Sequence, residues 1–164
     1  LRPVGRLDKD SEGLLLLSDD GAFINLLTHP SGGVGKLYRV TVNPRATEEQ
    51  IIAMSSGIVL DDGVKTQPCV IHVVTDEPGR TVLEITLHEG RNRQIRRMCS
   101  AVGLQVVRLK RTAQGPVKLG MLQPGEYREL KKSEVSALRN AAQKSGGSAK
   151  AAPRRPGPLP TKEN

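Results

Sequence analysis

Aromatic residues are scarce in this sequence, and tryptophan is absent. Aromatic side chains make up 2% of the 164 residues and are limited to Phe23, Tyr38 and Tyr127. Proteins that hold single-stranded nucleic acids by stacking successive bases need a series of such side chains. The sequence therefore argues against that mode of binding, and a single base recognised by stacking would have very few partners available.

Cysteine and long apolar segments are also scarce. Two cysteines, Cys69 and Cys99, are too few for a disulfide scaffold and favour a reducing compartment. Cys69 and His72 have the spacing of two metal ligands, but nothing nearby in the sequence completes a closed site, so we expect no metal. No apolar run has the length of a membrane span, and no signal peptide is present. We therefore expect a cytoplasmic protein that does not contact a membrane.

The first six residues contain no initiator methionine. They have the character of an internal segment, so we expect that a preceding part of the protein is missing. Missing strands would leave exposed apolar surface, or an unpaired sheet edge, beside the four-leucine run 14–17.

Positive charge is abundant and unevenly distributed. Lys and Arg number 25 against 17 Asp and Glu, which gives a net charge of +8 and favours a polyanionic partner such as a nucleic acid. Between His88 and Lys118 the only acidic residue is Glu89. The basic residues of that stretch are Arg91, Arg93, Arg96, Arg97, Arg108, Lys110, Arg111 and Lys118.

Helical and strand-like segments alternate along the chain. Capping signals at Asp20, Thr47 and Ser133 predict helices that follow them, and the apolar spacing of 91–102 predicts a fourth helix with Ile95 on its apolar face. The predicted strands are 14–17, 36–42, 70–75, 81–87 and 105–109, of which 70–75 and 81–87 form a hairpin. The pattern predicts an α+β fold, a mostly antiparallel mixed sheet flanked by helices.

Two regions of different character follow from the composition. Residues 1–143 carry the predicted helices and strands and are expected to form one domain. Residues 144–164 are rich in Ser, Gly, Ala, Pro and basic residues, which predicts a disordered basic tail. Such a tail either adds non-specific affinity for RNA or simply improves solubility.

The polar segment before the leucine run holds the clearest candidate for chemistry. Asp8 lies in a predicted loop just before a buried strand, a position where reactive residues are common on rigid scaffolds. From spacing alone, a turn with solvated acids is the simpler interpretation. Asp8 and Asp10 also allow a glycosidase-like pair, although the i and i+2 positions of a loop give no assured geometry.

Three segments, in order, resemble the pseudouridine synthases that modify single uridines of bacterial ribosomal RNA. The similarity covers about Val4 to Val135, and Ser11 stands where the family more often has Thr. The segments are Gly5-Arg6-Leu7-Asp8-Lys9-Asp10-Ser11-Glu12-Gly13-Leu14-Leu15-Leu16-Leu17, Lys36-Leu37-Tyr38-Arg39-Val40, and Glu89-Gly90-Arg91-Asn92-Arg93-Gln94-Ile95-Arg96-Arg97-Met98.

The resemblance implies three catalytic residues. Asp8 matches the catalytic aspartate, a carboxylate able to act as a covalent nucleophile. Arg96 matches the arginine that pairs with this aspartate, where a cation favours the ionised carboxylate. Tyr38 matches a tyrosine that stacks on the target uracil, and the family's fold is expected here without its N-terminal part.

The resemblance also implies an RNA-binding surface and no cofactor. Arg6 matches a residue that fills the space of the flipped base, and Lys36 is a further RNA contact. Backbone phosphates would be bound by Arg91, Arg93, Arg97, Arg108, Lys110 and Arg111. The expected partner is ribosomal RNA, with a large-subunit precursor favoured over small-subunit RNA, and we expect a monomer. A non-catalytic RNA-binding module and a glycosidase-like hydrolase are the competing hypotheses.

Overall fold

The structure is a computed structural model that describes residues 1–150. In chain order the strands are β1 Arg2–Pro3, β2 Glu12–Gly13, β3 Leu17–Ser18, β4 Lys36–Asn43, β5 Val70–Glu77, β6 Arg80–Leu87, β7 Gln105–Gln114 and β8 Val117–Lys118. The helices are α1 Gly21–Thr28, α2 Glu48–Ser55, α3 Gln94–Ala101 and α4 Lys132–Lys150, with a short 3-10 helix at Pro30–Gly32.

The predicted α+β fold with a mostly antiparallel mixed sheet is confirmed. The main sheet has the order β2-β7-β4-β6-β5, and β8 pairs with β7. Strand β2 runs parallel to β7, whereas the other neighbours in this sheet run antiparallel. Strands β1 and β3 form a separate antiparallel pair, so the segment containing Asp8 connects the two sheets.

Local sequence signals explain the element boundaries. The Asp20 side chain accepts bonds from two backbone amides at the start of α1, and Thr47 forms a complete capping box with Gln50 at the start of α2. The predicted hairpin is formed by β5 and β6. The boundaries at Asp20, Thr47 and the hairpin depend on contacts within a few residues, which is why the sequence predicts them. The predicted cap Ser133 is wrong, because α4 already begins at Lys132.

One core lies between the central strands and the helices α2 and α3. Its buried members include Val40, Leu83, Ile85, Met98 and Cys99. Ile95 is also buried there, so the predicted apolar stripe of α3 does face the sheet. This packing fixes the first turn of α3 against the sheet whose strand β4 carries Tyr38.

A second core lies under the leucine run and between α1 and α4. Leu14 and Leu16 are buried with Phe23 and Leu138. Leu15 and Leu17 alternate with them and are exposed, which agrees with the expected apolar surface on this side. The continuous strand predicted for 14–17 is wrong, because the run is divided between two sheets: Leu14 bonds to Arg111 of β7, whereas Leu17 pairs with Pro3 of β1.

The C-terminal helix extends further than the sequence indicated. Helix α4 continues beyond residue 143 to Lys150, and the remainder of the predicted tail, 151–164, lies outside the described residues. In the part of the chain that the structure describes, no helix combines the length and the apolar character needed to cross a membrane.

Candidate functional site

A cavity of about 360 Å³ opens between the Asp8 loop, the start of β4 and the segment that leads into α3. It brings together most of the residues singled out in the sequence. Those on its wall are Arg6, Asp8, Lys36, Tyr38, Arg91, Arg93, Ile95 and Arg111. Arg96, Arg97, Arg108 and Lys110 do not line it.

The loop that carries Asp8 is tied to the centre of the main sheet. The Ser11 amide donates to the Asp8 carbonyl at 2.9 Å, which closes a turn, and the Leu14 amide donates to the Arg111 carbonyl at 2.8 Å. Gly13 lies opposite Arg111 in the β2–β7 pairing. The Asp8 side chain is 21% exposed, so its carboxylate is held at the cavity wall and remains accessible.

Two arginines of α3 and its approach contact this loop. Arg93 donates to both carboxylate oxygens of Asp10, from Nη1 at 3.0 Å and from Nη2 at 2.8 Å. Its Nη1 also lies 3.9 Å from Oδ2 of Asp8. Arg96 donates from Nη2 to the backbone carbonyl of Asp10 at 2.6 Å, and its Nε lies 3.5 Å from Oδ2 of Asp10.

The expected ion pair between Arg96 and Asp8 is therefore absent from the part of the chain that the structure describes. Arg93 is the cation nearest to Asp8, and Arg96 reaches the loop at Asp10. The reason lies in the start of α3, which begins at Gln94 and not at the predicted residue 91. Arg93 takes a left-handed conformation with φ 51°, and this places its side chain beside the Asp8 loop.

The approach to α3 is organised around Glu89, a residue that the sequence reasoning did not single out. Its Oε2 accepts from the Gln67 amide and from Nε2 of buried Gln94, each at 2.8 Å. Arg91 lies 3.2 Å from its other oxygen. The sequence signal for this role was that Glu89 is a single acid within a basic segment, because a carboxylate surrounded by donors can fix the local backbone.

Tyr38 and two cations form the floor of the cavity along adjacent strands. Tyr38 is half-buried and lies opposite Arg111 in the β4–β7 pairing. Arg111 is buried and donates from Nε to the Leu14 carbonyl at 2.9 Å. Burial, and secondarily the charge of Arg111, lowers the pKa of Lys36. An anion or a polar ligand in this cavity would relieve that repulsion.

The basic residues outside the cavity differ in how they are paired. Arg97 contacts Asp61 at 2.7 Å and Asp62 at 2.9 Å. Arg108 forms a two-point pair with Glu12, with both distances 2.9 Å. In the described range, Lys110 has no acidic partner within 4.0 Å.

The Cys69 and His72 pair lies on the strand β5 side of the hairpin, away from the cavity lining. Burial, and secondarily the nearby Glu89 charge, raises the pKa of Cys69 to about 11. Across residues 1–150, no group of three or more His, Cys, Asp or Glu side chains is placed to hold a metal ion.

Comparison with known proteins places this geometry in a family. The family model for RNA pseudouridylate synthase matches residues 1–101. An uncharacterized RNA pseudouridine synthase of Aquifex aeolicus is 44% identical over 136 residues, covering 83% of this chain and 54% of the relative. The ribosomal large subunit pseudouridine synthase B of Bacillus subtilis is 42% identical over 142 residues, covering 85% of this chain and 58% of the relative.

The structural comparison agrees. A crystal structure of a pseudouridylate synthase superposes with a TM-score of 0.78 at 37% identity, covering 83% of this chain and 58% of that one. The chain thus spans a little over half the length of these relatives. Since the family model covers residues 1–101, which include the Asp8 loop, Tyr38 and helix α3, the chain belongs to the RNA pseudouridylate synthase family.

Proposed function

We propose that this protein isomerises a uridine of ribosomal RNA to pseudouridine, with Asp8 as the nucleophile. The observation that carries the proposal is the placement of Asp8, Tyr38 and Ile95 on one cavity wall, with Arg93 3.9 Å from the Asp8 carboxylate. The positive charge beside this carboxylate favours a fixed orientation, as a nucleophile requires.

The reaction leaves the elemental composition of the nucleoside unchanged. The bond between C1′ of the ribose and N1 of uracil breaks, the base turns, and a bond forms between C1′ and C5. The proton on C5 is released, and N1 regains a proton. Asp8 supports this exchange by a transient covalent bond to the substrate, after the nucleotide has left the RNA stack.

Tyr38 and Arg96 complete the proposed catalytic set. Tyr38 lies on the cavity floor beside Arg111, where its ring would stack on the flipped uracil and its hydroxyl would assist the proton released from C5. Stacking of this kind contributes about 1–3 kcal/mol per base. Arg96 acts on Asp8 through the loop, since its contacts are to Asp10.

The proposed RNA surface surrounds the cavity. Arg6 lines the cavity and would fill the space vacated by the flipped base, and Lys36 and Arg111 supply positive charge at its floor. The remaining phosphate contacts are proposed for Arg91, Arg93, Arg97, Arg108 and Lys110. We favour large-subunit RNA in the cytoplasm, because the relatives include proteins named ribosomal large subunit pseudouridine synthases B and E; small-subunit RNA is the alternative within the family.

Tritium release tests the proposal directly. Precursor ribosomal RNA labelled with tritium at C5 of uridine loses the label only when a bond to C5 forms. We expect release by the native protein and none by Asp8→Asn, while both bind the RNA. Equal release by both would remove Asp8 from the mechanism. Binding without release by either would favour a non-catalytic RNA-binding module.

A glycosidase-like hydrolase predicts a different geometry and product. It needs a second carboxylate that faces Asp8 across the cavity, but Asp10 does not line the cavity and both of its oxygens are held by Arg93. Release of free uracil in the same assay would identify hydrolysis, since isomerisation leaves the base attached to the ribose.

A further inference from the structure

Asp10 makes more contacts to the α3 arginines than Asp8 does. Its two carboxylate oxygens accept from Arg93 at 3.0 and 2.8 Å. Its carbonyl accepts from Arg96 at 2.6 Å. Asp10 thus joins the loop of the first motif to the beginning of α3, across more than 80 residues of sequence.

These contacts bear on the position of Asp8 through two routes. Asp8 and Asp10 belong to the same turn, which the hydrogen bond from the Ser11 amide to the Asp8 carbonyl closes. In addition, Nη1 of Arg93 is shared between the carboxylates: it donates to Asp10 at 3.0 Å and lies 3.9 Å from Asp8. Fixing Asp10 therefore fixes both the loop backbone and the cation beside Asp8.

We propose that Asp10 is a positioning residue that holds Arg93 and Arg96 against the loop and so sets the place and charge environment of Asp8. The proposal rests on the proposed function of Asp8. Asp10 itself does not line the cavity and would not touch the reacting atoms. We therefore expect the loss of Asp10 to slow the chemical step much more than it changes the binding of RNA.

The charges of the cluster support this role. The charges of the two aspartates and the two arginines cancel. Removal of the Asp10 charge leaves Arg93 without its carboxylate partner, so that its guanidinium can move closer to Asp8. The hydrogen bond from Arg93 holds the pKa of Asp10 at about 2, below its ordinary value of 3.8. Asp10 is therefore ionised throughout the pH range in which an enzyme of this kind is assayed.

An exposed ion pair could instead have no effect at all, since many exposed pairs contribute nothing measurable. The chain contains a matched pair that serves as the control. Arg45 donates to both oxygens of Asp76 at 2.9 Å, with similar exposure, and neither residue lines the cavity. Asp76→Asn removes the same charge and disturbs the same kind of two-point arginine pair, while the amide oxygen can still accept the bond that Thr81 donates to Asp76 at 3.2 Å.

The experiment compares native protein, Asp8→Asn, Asp10→Asn, Asp10→Glu and Asp76→Asn. Single-turnover tritium release, with protein in excess over labelled RNA, gives the rate constant of the chemical step, and filter binding gives the RNA dissociation constant. For Asp10→Asn we expect the rate constant to fall at least about tenfold, because small displacements of reacting groups carry large penalties. The dissociation constant should change less than about threefold, which is the scale of one exposed pair.

Asp10→Glu should recover much of the lost rate, because it restores the charge facing Arg93, whereas Asp76→Asn should match the native protein. A native rate for Asp10→Asn would overturn the proposal, as would a loss explained entirely by weaker RNA binding. If Asp10→Asn does not fold, a rate for Asp10→Glu as low as that of Asp8→Asn would equally overturn it. No release by native protein would instead remove the proposed function itself.

Discussion

Gly13 occupies a position where the backbone leaves no room for a side chain. Its φ is +111°, and a Cβ added there would lie 2.6 Å from the Arg111 backbone nitrogen. Gly13 pairs with Arg111 where β2 joins the main sheet. Substitution by alanine must therefore push β2, and the Asp8 loop that precedes it, away from β7.

The expected cost of Gly13→Ala combines strain and lost contacts. A side chain at such a φ costs about 1–3 kcal/mol. Separation of the strands also removes the bonds that join Leu14 and Arg111 in both directions, at about 1 kcal/mol each. The free energy of unfolding should fall by at least about 3 kcal/mol, a large share of the roughly 5–15 kcal/mol typical of a domain.

Gly63→Ala provides the matched control. Gly63 also has a positive φ, +84°, but an added Cβ would meet nothing within 4 Å. Urea denaturation should show a loss of about 1–2 kcal/mol for this variant, from backbone strain alone, and a clearly larger loss for Gly13→Ala. Equal losses would refute the reasoning, since the difference between the variants measures the collision with β7.

Two further predictions concern the helices. Thr47→Ala removes the capping box of α2 and should lower the free energy of unfolding by about 1 kcal/mol in urea, whereas no change would show that the cap is not needed. The hydrogen bond from Arg128 holds the pKa of Glu134 at about 2, below its ordinary value of 4.5. The stabilisation by ionised Glu134 is therefore complete above pH 4.5 and is lost as the pH falls towards 2. The urea midpoint should fall over that interval more in the native protein than in Glu134→Gln, and parallel curves would contradict this assignment.

The parts of the fold predicted correctly are those that depend on nearby residues. The caps at Asp20 and Thr47 and the turn between β5 and β6 act within a few positions, and their elements formed as expected. The strand predicted for the leucine run did not form as one unit. Strand β7 lies about a hundred residues away. It pairs with Glu12 and Gly13 just before the run, and Leu14 bonds to Arg111 where this pairing ends.

The site divides in the same way. Family resemblance grouped Asp8, Tyr38 and Arg96; Asp8 and Tyr38 line one cavity, whereas Arg96 does not. The partner of Asp8 could not be predicted, because it depends on the left-handed conformation of Arg93 that starts α3 one turn later than its apolar pattern implies. Side chains that reach across more than 80 residues follow backbone geometry, which periodicity does not encode.

The basic surface is less available to RNA than its sequence suggests. Arg91, Arg93, Arg97 and Arg108 each have an acidic partner. A phosphate must displace these carboxylates, although each exposed pair contributes only about 0–1 kcal/mol.

If Arg108 contacts RNA as proposed, Glu12 competes with RNA for it, since their two-point pair has both distances at 2.9 Å. Glu12→Gln frees this guanidinium and should tighten RNA binding. Lys110→Gln removes a cation two residues along β7 and should weaken RNA binding. Its salt dependence should fall by about one phosphate contact. Filter binding over a range of KCl concentrations measures both effects, and Asp76→Asn is the control for Glu12→Gln, because both variants raise the net charge by one. Weaker binding by Glu12→Gln would mean that Arg108 serves the fold through Glu12 and does not contact RNA.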